Sequence, residues 1–317
     1  MKNDGYAAFP LSLRYLEPTE IIEGLTQCAA SISPKYFYDK RGSVLFEDIT
    51  RLPEYYLTRT ERSVMQAHAA DISREIGLGK TVVELGAGNC KKARDLCRSI
   101  RPERFIAVDI SAEFLRGAVQ ELRGEFPALD ARAVVADLTG DVELPLDIPR
   151  AQRLLFYPGS SIGNFDRPHA LNLLERMRGL IDYDGALLIG IDLPKDVAVL
   201  EAAYDDVSGV TAAFNLNVLA HVNRLVGSDF DLDSWRHRSF FNAAESRIEM
   251  HLEAATETLV RWPHGERRFA VGERIHTEHS YKYPLNEFTH LLRRAGFTRT
   301  RAWTDPRNWF AVVHAQP

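Results

Sequence analysis

The residues best suited to chemistry begin at Thr81-Val82-Val83-Glu84-Leu85-Gly86-Ala87-Gly88-Asn89. Thr81 to Leu85 is a short apolar run of the kind that forms a buried parallel strand, and helical character resumes at Lys92 to Ile100. Between them, Gly86-Ala87-Gly88 makes a tight turn where a ligand can approach bare backbone. The unpaired amides of the following helix start attract a carboxylate or phosphate. Two further acids extend the pattern. Asp109, in the run Arg104 to Ile110, is placed to accept hydrogen bonds from ribose hydroxyls. Asp137, in the run Ala133 to Leu138, suits an adenine amino group. Lys91 stands where a dinucleotide fingerprint has its third glycine, which leaves a pyrophosphate less room.

A second constellation lies far down the chain. Arg274-Ile275-His276-Thr277-Glu278-His279-Ser280-Tyr281-Lys282-Tyr283 reads as a strand. Alternation puts Glu278 and Ser280 on the face of His276, with His279 opposite. Glu278 and Ser280 together can hold a ring bearing two N–H groups, such as imidazole. A metal site at His276, Glu278 and His279 fails on that geometry, so no metal is expected. Tyr38 and Tyr55 offer hydroxyls from an aromatic-rich N-terminal stretch. Asn164 closes the polar loop Pro158-Gly159-Ser160-Ser161-Ile162-Gly163-Asn164; its amide can donate to a carboxylate and accept from an amine.

The elements that must position these groups alternate strand and helix. Strands are expected at Thr81–Leu85, Arg104–Ile110, Ala133–Leu138, Arg153–Tyr157 and Ala186–Leu193, with helices at Glu61–Ile76, Lys92–Ile100, Ala112–Phe126 and Pro168–Ile181. Ligands of such sheets sit outside the carboxyl ends of the strands, which puts Asn164 beside the glycine turn. Ala198 to Asn223 reads as two helices and Phe240 to Tyr283 as mostly β, an insertion before the sheet resumes. An amphipathic helix from Leu285 to Gly296 and a hairpin, Thr298–Thr304 with Phe310–His314, close the chain. The glycine turn, ribose acid and adenine acid resemble class I S-adenosylmethionine (SAM) methyltransferases more than dehydrogenases. The final hairpin suits that fold's seven-stranded, mostly parallel sheet with one antiparallel strand.

Bulk properties exclude other classes. The 317 residues carry a formal net charge of −5, with 45% hydrophobic and 26% charged residues, and the pI is about 6.1. A soluble α/β protein is expected, without the basic face that nucleic acid would favour. No apolar run is long enough to span a membrane, and Met1 to Gly5 opens no apolar leader. Cys28, Cys90 and Cys97 form neither a metal spacing nor an even disulfide set, which suits a reducing cytoplasm.

The chain also resembles, more specifically, the L-histidine Nα-methyltransferases of ergothioneine biosynthesis. The resemblance rests on Pro34-Lys35-Tyr36-Phe37-Tyr38-Asp39, Leu52-Pro53-Glu54-Tyr55-Tyr56, Glu84-Leu85-Gly86-Ala87-Gly88, the Pro158–Asn164 loop, Ala203-Tyr204-Asp205-Asp206, and Thr277-Glu278-His279-Ser280. It implies a SAM-binding domain at 60–195 and 284–317. A second, α+β substrate domain would comprise 1–59 and 196–283. It implies SAM contacts at Gly86, Gly88, Lys92, Asp109 and Asp137. It implies L-histidine contacts at Tyr55, Asn164, Tyr204, Met250, Glu278 and Ser280, with Tyr38 near the amino group and Tyr38 and Tyr55 serving catalysis. The implied reaction is trimethylation of the histidine α-amine to hercynine by a monomer; the same chemistry on another amino acid, such as tryptophan, is the alternative. Asn89-Cys90 departs from the small hydroxyl residues usual in the family's glycine loop, and altered loop packing is expected there.

Overall fold

The structure, a computed structural model, describes residues 18–317. The reading of Met1 to Gly5 lies outside the described residues. Four helices come first: Pro18–Thr26 (α1), Lys40–Ile49 (α2), Tyr56–Ala67 (α3) and Ala69–Ile76 (α4). Strand and helix then alternate through Thr81–Leu85 (β1), Lys91–Ile100 (α5), Arg104–Asp109 (β2), Ala112–Glu125 (α6), Asp130–Val135 (β3), Arg153–Tyr157 (β4), Arg167–Gly179 (α7) and Ala186–Asp192 (β5). Helices Val197–Ala202 (α8) and Val210–Val226 (α9) lead into strands Trp235–Asn242 (β6), Arg247–Ala254 (β7), Thr258–Trp262 (β8), Gly265–Phe269 (β9) and Arg274–Tyr281 (β10). Leu285–Arg294 (α10) and the strands Arg299–Thr304 (β11) and Phe310–Gln316 (β12) end the chain.

The large sheet has the order β11-β12-β5-β4-β1-β2-β3. Pairings from β5 to β3 are parallel, and β12 joins β5 antiparallel. This is the class I methyltransferase sheet. Each position of β1 is buried, because helices cover both faces. Val83 and Leu85 pack with α7 and α10, and Val82 packs on the other side with α3 to α6. Strand order reverses between β1 and β4, so the loops after these strands splay apart and open a crevice at the sheet's carboxyl edge.

A separate apolar cluster joins α1, α2, α8 and α9 to the three-stranded antiparallel sheet β10-β7-β6. Phe37 stacks on Phe214 of α9 with ring centroids 4.5 Å apart.

Three expectations need correction. The helix read across Glu61–Ile76 is two helices, broken at His68, where φ is −110° and ψ 14°; no glycine or proline marks the break. The third strand ends at Val135, so Asp137 stands in the loop beyond it, turned by its own bond from the Thr139 amide at 2.8 Å. The alternation in β10 also fails. The register shifts between His276 and Glu278, and Thr277 is the extra residue of a β-bulge, which inverts the faces that follow. His276 therefore lies with His279, their rings stacked at 5.3 Å, while Glu278 and Ser280 point into the protein.

Candidate active site

The cofactor half is made of backbone and acids. Gly86 and Gly88 take φ of +68° and +50°, the left-handed region where a side chain is strained. A Cβ on Gly88 would meet nothing within 4 Å, so the crest of the turn is open for a ligand. The Asp109 carboxylate accepts from the Gly88 amide at 2.9 Å and from the Ser111 amide at 2.9 Å. Its remaining lone pairs are free for hydroxyl donors. Asp137 accepts from Lys35 at 3.0 Å. Glu84, buried at the end of β1, has no hydrogen-bond partner for Oε2 among the described residues, and burial holds its carboxyl well above the usual range. An open glycine crest, a ribose acid and an unpartnered buried carboxylate fit a nucleoside that carries an amino-acid tail, as SAM does.

Lys92, implied as a SAM contact, bonds Glu61 at 2.7 Å, and the other Glu61 oxygen accepts from the Gly159 amide at 2.8 Å. Glu61 thereby links the glycine turn to the loop after β4. Asn89 donates to Glu47 of α2, and Lys91 reaches the same carboxylate at 2.6 Å. The residue that departs from the family's glycine loop is thus tied to α2.

The loop after β4 joins the two halves. Ser160, at φ +63°, accepts from the Asp192 amide at 2.8 Å. The 3₁₀ turn Ser161–Asn164 then runs directly against β10. A Cβ on Gly163 would lie 2.9 Å from the Tyr281 carbonyl oxygen and 3.5 Å from Ser280 Oγ. Only glycine allows this approach. A cavity of about 310 Å³ beside it is lined by Asn164, Glu278, His276 and His279 together with α1 and the segment 31–34, and Tyr55, Tyr204, Met250 and the glycine turn lie outside that lining.

The substrate half is made of side chains. Glu278 is 8% exposed. Burial pushes its carboxyl up to about 7, with Lys282 pulling the other way. Its partner across the ladder is Met250, which is buried on the same face. Tyr38, Tyr55 and Tyr204 lie within electrostatic reach of this carboxyl, and the rings of Tyr55 and Tyr204 meet edge to face at 6.3 Å. Burial raises all three phenols well above their ordinary value, and the charge of Glu278 raises each further. Asp109 adds to the shift of Tyr38, so Tyr38 lies within electrostatic reach of both the ribose acid and the ring acid. Shifts in that direction keep these phenols protonated, with oxygen lone pairs that can accept a hydrogen bond.

Several residues that hold the site have no local signal in the sequence. Asn215 accepts from Thr277 at 2.8 Å and donates to the His251 carbonyl at 3.0 Å, clamping the bulge. Asp192, fully buried, accepts from Tyr56 at 2.6 Å, Lys195 at 2.6 Å and Lys282 at 2.8 Å. A lysine at the end of an alternating strand reads as solvated until the second sheet covers it. Glu278 faces inward, whereas His276 and His279 lie together on the other side of β10, opposite to the reading that placed His276 with Glu278.

Fold and site together define a class I SAM methyltransferase with a polar amino-acid site. The family model described as "Histidine-specific methyltransferase, SAM-dependent" matches residues 17–317, and the chain belongs to that family. It is 42% identical to the histidine N-alpha-methyltransferase of Mycolicibacterium smegmatis over 92% of each chain. It is 38% identical to the protein of the same name from Mycobacterium tuberculosis, again over 92% of each. Ergothioneine biosynthesis protein 1 of Schizosaccharomyces pombe is 28% identical over 88% of this chain and 38% of its own length.

Proposed function

We propose that this enzyme methylates the α-amine of L-histidine three times to give hercynine, the first step of ergothioneine biosynthesis, as a cytoplasmic monomer. Residues 60–195 and 284–317 would bind SAM, and 1–59 with 196–283 would bind histidine. The observation that carries the reading is Glu278: a buried carboxyl on one face with Ser280 and Met250. An indole would bring one N–H and more bulk to this pair, leaving a buried polar group unpaired at a cost of about 1–3 kcal/mol.

SAM supplies a methyl group on a sulfonium leaving group. The chain's work is to orient the attacking nitrogen in line with that methyl, about 3 Å away. Glu278 and Ser280 hold the ring. Asn164 holds the carboxylate, with Tyr204 beside it. Tyr38 and Tyr55 accept from the amine N–H groups, leaving its lone pair toward the glycine turn. Burial next to a cationic sulfonium favours the neutral, nucleophilic amine. In each round an N–C bond forms, the C–S bond breaks, and the new ammonium loses a proton before the next.

Mass spectrometry of an incubation with L-histidine and SAM should give histidine carrying one, two and finally three added methyl groups. Glu278→Ala should lose this turnover by a factor on the order of 100 or more while retaining affinity for S-adenosylhomocysteine. Equal turnover of tryptophan, or histidine kinetics untouched by Glu278→Ala, would overturn the assignment.

A further inference from the structure

We propose that Lys35 is a positioning residue: its ion pair with Asp137 holds the segment that carries Tyr38 against the cofactor half, so that it serves the methyl-transfer step and neither binding step. The inference rests on the reading above, in which Tyr38 accepts from the histidine amine.

Lys35 and Tyr38 stand in the run Pro34-Lys35-Tyr36-Phe37-Tyr38-Asp39. Pro34–Phe37 is a short 3₁₀ turn, and Tyr38 follows it at φ −94° and ψ 50°, in neither helix nor strand. The Tyr38 amide reaches the Lys35 carbonyl only at 3.5 Å. Regular secondary structure therefore does not set where Tyr38 lies, and ties to its neighbours must.

Those ties come from two sides. Toward α9, the His221 ring donates from Nδ1 to the Tyr36 carbonyl at 2.7 Å. Asp39 accepts from Asn217 at 2.8 Å and pairs with Arg224. Toward the large sheet, Lys35 Nζ donates to Asp137 at 3.0 Å and the Ser111 hydroxyl donates to the Tyr38 carbonyl at 3.0 Å. Ser111 in turn gives its amide to Asp109 at 2.9 Å. The segment is thus braced against both acids expected to meet the nucleoside.

The Lys35–Asp137 pair is not a loose surface contact. Both side chains are 13% exposed, and pairs at that depth are screened less than exposed ones. Glu20 of α1 holds the ammonium as well, at 2.5 Å. Burial works against the ammonium, and the bonds to Glu20 and Asp137 more than offset it, so Lys35 stays charged. Asp137 keeps room for a ligand. The Thr139 amide takes one oxygen and Lys35 the other, which leaves each oxygen a lone pair for an amino group. Lys35 therefore does not compete for the base. Without its ammonium, the sheet and the second unit stay joined through Glu47, which holds Asn89 and Lys91; what is lost is the tie beside Tyr38.

The test is the single-turnover loss of unmethylated histidine, with the full-length enzyme in excess and SAM saturating. Lys35→Met should slow this step by a factor of about 10, the scale of a small misplacement of an orienting group. Calorimetric affinities for S-adenosylhomocysteine and for histidine should change by less than about threefold, as for an interaction that counts only in the transition state. Lys35→Arg, which keeps the cation, should stay within about threefold of the wild-type rate. In a Tyr38→Phe background, Lys35→Met should cost less than about twofold, because the acceptor it positions is already gone. Wild-type transfer in Lys35→Met, a full loss that persists in Tyr38→Phe, or a loss that appears as weakened cofactor affinity would each overturn the proposal. Unchanged transfer in Tyr38→Phe alone would instead overturn the reading of Tyr38 at the amine, and the proposal with it. Should Lys35→Met not fold, Lys35→Gln, which keeps a polar tip without the charge, makes the same comparison in the two backgrounds.

Discussion

The two sheets build their halves of the site in opposite ways. In the large parallel sheet, the groups proposed to face a ligand are backbone amides and acids at or just beyond strand ends, set by turns a few residues long. In the small antiparallel sheet, the proposed groups are side chains in mid-strand, aimed by a bulge and held by the neighbouring Lys282 and by Asn215 and Tyr204 from distant parts of the chain. A backbone turn tolerates neighbouring substitutions so long as its glycines remain. A mid-strand pair depends on register, because a slip of one residue sends every side chain to the opposite face. Cofactor binding should therefore be the robust half and ring recognition the fragile one.

The sharpest way to break that comparison is at the junction. Gly163→Ala inserts a methyl 2.9 Å from the Tyr281 carbonyl oxygen, so β10 must shift or the loop must withdraw. An overpacking cost of about 2 kcal/mol corresponds to roughly a 30-fold loss in kcat/KM for histidine. Affinity for S-adenosylhomocysteine, measured by calorimetry, should change by less than about twofold. Equal losses on both sides would show that the halves are not separable in this way.

A smaller effect concerns stability. Glu278 titrates at about 7 in the folded chain instead of its ordinary 4.5. The folded state therefore holds a proton that the unfolded chain releases between those values, and stability falls as pH rises through that window. Glu278→Gln removes this loss, though its amide still costs something to bury. The variant without ligand should be more stable than wild type by about 1 kcal/mol above pH 7, with the difference shrinking toward pH 4.5. Thermal melts across this range check it, and a variant less stable at high pH would mean that the carboxylate is better solvated than its burial implies.

The same contrast decides what was legible in the sequence. The strands, the glycine turn, Asp109 and the closing hairpin depend on local runs and are readable directly; the seven-stranded sheet comes from the resemblance to the methyltransferase class, and its strand order only from the structure. Glu278 and Ser280 were readable as a same-face pair because the bulge lies before both. Its effect fell on His276, which alternation assigned to the wrong face, because no residue type marks Thr277 as an extra residue. Lys282 gave no signal of its burial, since its partners Asp192 and Tyr204 come from other segments. Tyr38 and Tyr55 are legible as hydroxyl-bearing aromatics, whereas Tyr204 and Met250 come only from the family resemblance, not from any property of the residues themselves. Asp137 reads as a strand-tip acid, whereas its strand ends at Val135 and its carboxylate pairs with Lys35.

The central claim is that the small sheet offers its buried acid and hydroxyl to a ring while the large sheet holds the methyl donor beside the amine. A crystal structure with L-histidine and S-adenosylhomocysteine tests it most directly. The account predicts one ring nitrogen on Glu278, the other on Ser280, and the α-amine turned toward the sulfur above Gly86 and Gly88. A histidine whose ring lies away from Glu278, or whose amine points away from the sulfur, would contradict it.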